Sequence, residues 1–144
     1  MSESEIDRLT ERWLDGWNVG DAPFDGAVFR EVFAPGEGAV TVFDNVQGDV
    51  VVLRSVDDYV ATWTPFMAPM TRWSVAIEER EVVASGAMAL STFRLVGLDT
   101  RGPDGAAVPF GQYATHVWRE LPGHGWRLVH EHLTAYDVAG RAAR

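Results

Sequence analysis

Ile6, Leu9, Trp13, Leu14 and Trp17 recur at helical spacing behind Ser4-Glu5-Ile6-Asp7, an N-cap serine with an acid three residues on, and predict a helix from about Ser4 to Asn18. Gly20-Asp21-Ala22-Pro23 breaks it, and Val28, Phe29, Val32 and Phe33 give an apolar face to a short second helix that Pro35-Gly36 ends. Ala39 to Asp44 reads as a strand, with Asp49 to Leu53 as its irregular partner. Ser55 with Asp58 repeats the capping pattern ahead of Val56, Tyr59, Val60 and Trp63, predicting a third helix from Ser55 to about Thr64, where Pro65 disturbs it. From Arg72 the period falls to two: Arg72 to Ala84, Ala87 to Leu98, Ala107 to Leu121 and Gly125 to Tyr136 read as four long antiparallel strands. Helices first and a meander afterwards predict an α+β fold, helices packed on one face of a curved, mainly antiparallel sheet, in one domain over 1–137 with a frayed tail at 138–144.

Composition narrows the chemistry. The 144 residues are 47% apolar and 23% charged, enough to bury a core. All 12 basic residues are arginines, and 21 acids leave a formal charge of −9, which argues against nucleic acid or an anionic membrane as partner. The lack of lysine in an Ala-, Gly- and Val-rich chain suggests a G+C-rich bacterial source. With no cysteine there is no disulfide, thiolate metal site or cysteine nucleophile. The acidic, polar first residues do not read as a signal peptide and no apolar run would span a bilayer, so the cytoplasm is the expected location.

Three strings in this order and spacing, Arg12-Trp13-Leu14-Asp15-Gly16-Trp17-Asn18-Val19-Gly20-Asp21, Val40-Thr41-Val42-Phe43-Asp44, and Thr115-His116-Val117-Trp118-Arg119 followed by Gly125 to Thr134, resemble the nuclear transport factor 2-like superfamily, in its SnoaL-like and ketosteroid isomerase-like branch. The resemblance implies a cone-shaped half-barrel closed by the three helices around an apolar pocket, and a homodimer formed by the outer sheet face. It places the isomerases' general-base aspartate at Asp44, and their two hydrogen-bond donors at Trp13 and Thr115. An indole or a hydroxyl is a weaker acid than the family's tyrosine and protonated aspartate, so steroid isomerisation itself is not expected.

A two-residue turn at Pro122-Gly123 would set Leu121 opposite His124, and hence Arg119 opposite Trp126, Val117 opposite Leu128, Thr115 opposite His130 and Tyr113 opposite His132. With Thr115 assigned to the pocket, this side lines the cone, and Ala114, His116, Trp118, Arg127, Val129 and Glu131 face outward. His130 is then the acid/base candidate beside Asp44. Trp13, Trp17, Trp63, Phe66, Tyr113, Thr115 and His132 are candidate ligand contacts, the aromatics equally readable as core and Asp44 equally readable as a turn cap. His130 and His132 lack a third ligand in the sequence, so no metal is expected. Two functions stay open: a cofactor-independent isomerase, cyclase or lyase acting on a small apolar or aromatic molecule, or a non-catalytic ligand-binding or association domain.

Overall fold

The computed structural model describes residues 2–137, and the amphipathic N-terminal segment forms α1 (Ser2–Trp17), burying Ile6, Leu9, Trp13, Gly16 and Trp17 along one stripe. The helix starts two residues ahead of the expected cap, so Ser4 lies within its first turn. It ends where Asn18 turns its side chain to accept the Val75 N–H at 3.0 Å. Gly20, at φ 62°, then exchanges two backbone hydrogen bonds with Trp73 at 2.9 and 2.7 Å, clipping the helix end to the sheet.

A single turn, α2 (Phe29–Val32), buries Phe29 and Val32, and α3 (Val56–Met67) begins as the capping pattern predicts, Ser55 Oγ accepting the Asp58 N–H at 3.0 Å. The third helix outruns its expected end. Pro65 lies inside it, and the extra turn continues because Met67 packs into the core. The expected tail at 138–144 lies outside the described residues.

The strands β1 (Thr41–Asp44), β2 (Val51–Leu53), β3 (Arg72–Ser85), β4 (Met88–Arg101), β5 (Gly111–Leu121) and β6 (Gly125–Asp137) form one open sheet in the order β2-β1-β6-β5-β4-β3. Only β1 against β6 is parallel; the last four strands make the predicted meander. Register shifts at Ser74/Val75, Glu78/Glu81 and Val117/Trp118 bend the strands, and Glu79 takes a left-handed φ of 57° at the second. A bent, unclosed sheet with helices against one face is the expected α+β half-barrel.

The last hairpin differs from its expected register, for two physical reasons. The turn holds three residues, 122–124, so Leu121 pairs with Gly125, with Gly123 and Gly125 supplying positive φ. That one-residue change turns β5 over relative to β6: Ala114, His116 and Trp118, expected outside, are buried on the inner face. Past Leu128 the shift opposite Val117/Trp118 turns β6 over as well, and Glu131 and Leu133 come inside. Trp126 and Leu128, before the shift, are buried as expected, although Arg119 pairs with Arg127 and not with Trp126.

Thr115, Val117, His130 and His132 therefore do share a face, as the hairpin arithmetic required, but it is the outer one. Val83, Leu90, Val117 and His130 are successive cross-strand partners there.

A Cβ at Gly16 would lie 2.5 Å from the Phe29 ring and 2.6 Å from Val28. Gly16→Ala should therefore destabilise the fold by about 1–3 kcal/mol in urea denaturation, despite the better helix propensity of alanine. Neutral or increased stability would show that α2 yields to α1.

Candidate functional site

Two polar clusters sit on the inner sheet face, and each is made by an element that the apolar pattern places there. The first is at the end of β1, where Val42 and Asp44 point inward by strand alternation. Asp44 is 3% exposed. Its Oδ1 accepts both the Val46 N–H at 2.8 Å, the turn-capping bond foreseen for it, and the Gln112 Nε2 amide at 3.0 Å. Both hydrogen bonds fall on one oxygen, and Oδ2 takes none among the described residues. Burial raises its pKa from 3.8 to about 7, the charge of Glu131 adding to the rise while the Val46 and Gln112 hydrogen bonds oppose it.

Asp44 and Gln112 form one wall of a cavity whose other walls include Trp17, Trp63, Phe66 and Trp73. Its volume is about 10 Å³, near the minimum that one water requires. Trp17 and Trp63 meet at 6.1 Å between centroids, and Phe66 bridges Trp63 and Trp73 at 5.7 and 6.3 Å, all close to edge-on. Apart from the carboxyl and the amide, aromatic and aliphatic side chains make the wall.

The second cluster lies further along the sheet. Glu131 and His116 are cross-strand partners with no exposure, His116 Nε2 standing 3.0 Å from Glu131 Oε1. Trp13 of α1 donates its indole N–H to the same oxygen at 2.8 Å. The Tyr59 hydroxyl lies in the field of this carboxylate without completing a hydrogen bond, and burial followed by the Glu131 charge holds its pKa well above the ordinary tyrosine value. Glu131 Oε2 and His116 Nδ1 have no hydrogen-bond partner among the described residues.

The structure thus brings Asp44, Trp17, Trp63 and Phe66 around one cavity and sets Trp13 at the adjoining carboxylate. It does not bring His130, Thr115, Tyr113 or His132 there. His130 and His132 flank Phe43 outside the cone, at 5.5 and 5.6 Å, and Tyr113 is 55% exposed against Tyr136. Among the described residues no group of three His, Cys, Asp or Glu side chains is placed to hold a metal ion. Sequence reasoning missed Glu131, His116, Gln112, Tyr59 and Trp73. One signal was present: Glu131 has the same parity as Leu133, and His116 the same as Ala114 and Trp118, which are the apolar sets of their strand segments.

Burying Glu131 is tolerable only with its donors in place, so Glu131→Ala, which strands His116 and the Trp13 N–H, should cost about 3–5 kcal/mol in denaturant unfolding. Glu131→Gln keeps an accepting oxygen and should lose less. Equal losses for the two would show that shape alone matters there.

Comparison with known proteins gives this geometry its context. Solved structures with the same fold include a nuclear transport factor 2-like protein from Salmonella enterica (17% identity, 97% of this chain and 93% of that one, TM-score 0.73) and a Shewanella frigidimarina protein named as a ketosteroid isomerase (15%, 88% and 92%, TM-score 0.67). A third is the calcium/calmodulin-dependent kinase hub of S. rosetta (18%, 90% and 93%, TM-score 0.66). No curated protein matches the chain. These structures share the fold, and the model of the SnoaL-like domain matches residues 27–137, spanning β1 with Asp44, α3 and the whole meander: the chain belongs to the SnoaL-like family.

Proposed function

We propose that this chain binds a small apolar or aromatic molecule in the cone and moves a proton on it without a cofactor, Asp44 being the acid/base group. The observation that carries the reading is a buried carboxyl on the wall of an aromatic cavity, one oxygen tied to Val46 and Gln112 and the other without a hydrogen bond among the described residues; its burial pushes the pKa up to about 7. Gln112 and Val46 fix the carboxyl's orientation, and the tryptophan wall keeps it desolvated. Glu131, held by Trp13 and His116, serves this reading as a buried negative charge that favours the protonated form of Asp44. His130, on the outer face, has no part in the proton transfer.

The outer sheet face supports a second property, assembly into a homodimer. Val83 and Leu90 are 64% and 43% exposed in the row that runs through Val117 to His130, with Tyr113 exposed in a neighbouring row. Trp118 takes no part in this surface, being buried on the inner face. If association were the whole function, Asp44 would be only a turn cap.

Titration of the Asp44 carboxyl by carbon-13 NMR separates the two readings: an apparent pKa near 7 supports proton transfer, and one near 3.8 ends it. The same shift appears in stability. A carboxyl raised from 3.8 to about 7 stabilises the fold below its unfolded value and loses that contribution as pH rises through about 7. The loss is about 4 kcal/mol in full. Asp44→Asn should therefore gain on the parent protein between about pH 4 and about pH 8 in urea melts, and parallel curves would count against the buried neutral acid. For the dimer, light scattering at micromolar concentration should give twice 15.9 kDa; the monomer mass would sink it.

A further inference from the structure

Trp17, Trp63 and Trp73 all line the Asp44 cavity, and the indole nitrogen of each is buried without a hydrogen-bond partner among the described residues. This is not the state of every tryptophan here: Trp13 donates to Glu131 and Trp118 to Ser91, at 2.8 and 3.0 Å. Packing does not call for it, since phenylalanine would fill similar space without an unmet donor, and a buried donor without an acceptor is costly. One water, the most that about 10 Å³ admits, accepts two hydrogen bonds and leaves a third indole unmet.

The cavity also has a neighbour. A groove of about 180 Å³ runs between the segment after α1 and the end of α3, lined by Val19, Phe24, Thr64, Met67, Met70 and Trp73. Trp73 lines both spaces, so they adjoin at this residue. The α3 turn beside it lacks one helical hydrogen bond: Pro65 has no N–H to give the Ala61 carbonyl, and the turn that follows carries Phe66, which lines the cavity, and Met67, which lines the groove.

The geometry points to one binding site made of cavity and groove, opened by movement of Trp73 and the Phe66–Met67 turn, for a neutral, flat molecule with at least two hydrogen-bond-accepting oxygens that take the N–H groups of Trp17, Trp63 and Trp73. Two oxygens are needed because each accepts two hydrogen bonds and three donors wait. Neutrality follows from the charges: no cationic side chain lines either space, Asp44 lines the cavity, and Glu131 acts on it from beyond. Methionines, aromatics and a proline in the walls suit a flat hydrocarbon skeleton. This inference rests on the reading of the Asp44 cavity as a ligand site.

The test is a series on one bicyclic skeleton, 1,4-naphthoquinone, 1-tetralone and tetralin, with 1-naphthoate as the anion, titrated into nitrogen-15 labelled protein. The chain has no cysteine to add to the quinone. The indole N–H signals of Trp17, Trp63 and Trp73, assigned by single Trp→Phe variants, should move downfield with the quinone while those of Trp13 and Trp118 stay. Affinity should fall roughly 3- to 10-fold with each oxygen removed, and 1-naphthoate should not bind. Trp73→Phe should weaken the quinone by a similar factor, and the parent-protein shifts stand whether or not that variant folds. Tetralin binding as tightly as the quinone, movement confined to other indoles, or no binding by any of the four overturns the inference. An Asp44 pKa near 7 with unmoved indoles leaves the proton-transfer reading standing alone; moved indoles with an ordinary Asp44 pKa do the reverse.

Discussion

The carboxylate of Glu131 is buried at the centre of the inner sheet face, and the arrangement of helix and sheet around it follows from the need to hold it. A charge there is tolerable only if donors reach it from more than one direction. His116 comes from the neighbouring strand, and Trp13 comes from α1, 118 residues away in sequence. The indole bond therefore fixes the depth and rotation of α1 against the sheet. Trp17, one turn further along the same stripe, is thereby set against Trp63 of α3. The two Gly20–Trp73 hydrogen bonds and the Asn18 bond to Val75 anchor the same C-terminal end of that helix, just past Trp17.

A helix anchored through its C-terminal turns gives the sheet a lid at a set distance, and the space left beneath it is small and aromatic. Asp44 enters that space because β1 pairs parallel with β6 and places Val42 beside Glu131 and Asp44 beside Leu133 on the buried side. Two acids on one buried face influence each other: burial, and after it the charge of Glu131, raises the pKa of Asp44. The structural centre and the candidate chemistry are thus joined by one field.

Periodicity alone located the α1 stripe, the third helix with its Ser55 cap, and the four-strand meander, since each expresses a local preference over many residues. Asp44 and the aromatic set Trp17, Trp63 and Phe66 were legible as candidates because their element types and the family resemblance agree. The inner face of the last hairpin was not. A third turn residue at His124 and the shift opposite Val117/Trp118 each change parity by one, and strand alternation carries no mark of either. Burying Glu131 requires donors, and the Trp13 indole reaches it only once α1 is docked.

What the sequence determined was which segments are helix and strand, that a sheet with one buried face results, and that an acid ends the first strand. These are set by neighbours a few residues apart. Tertiary structure alone decided which face of β5 and of distal β6 looks inward, that Glu131 and His116 form the buried pair, and that Trp73 joins Trp17 and Trp63 about the cavity. Those outcomes depend on bulges, turn length and the docking of segments more than a hundred residues apart, where each choice is settled by the burial and hydrogen bonding of the whole fold and by nothing local.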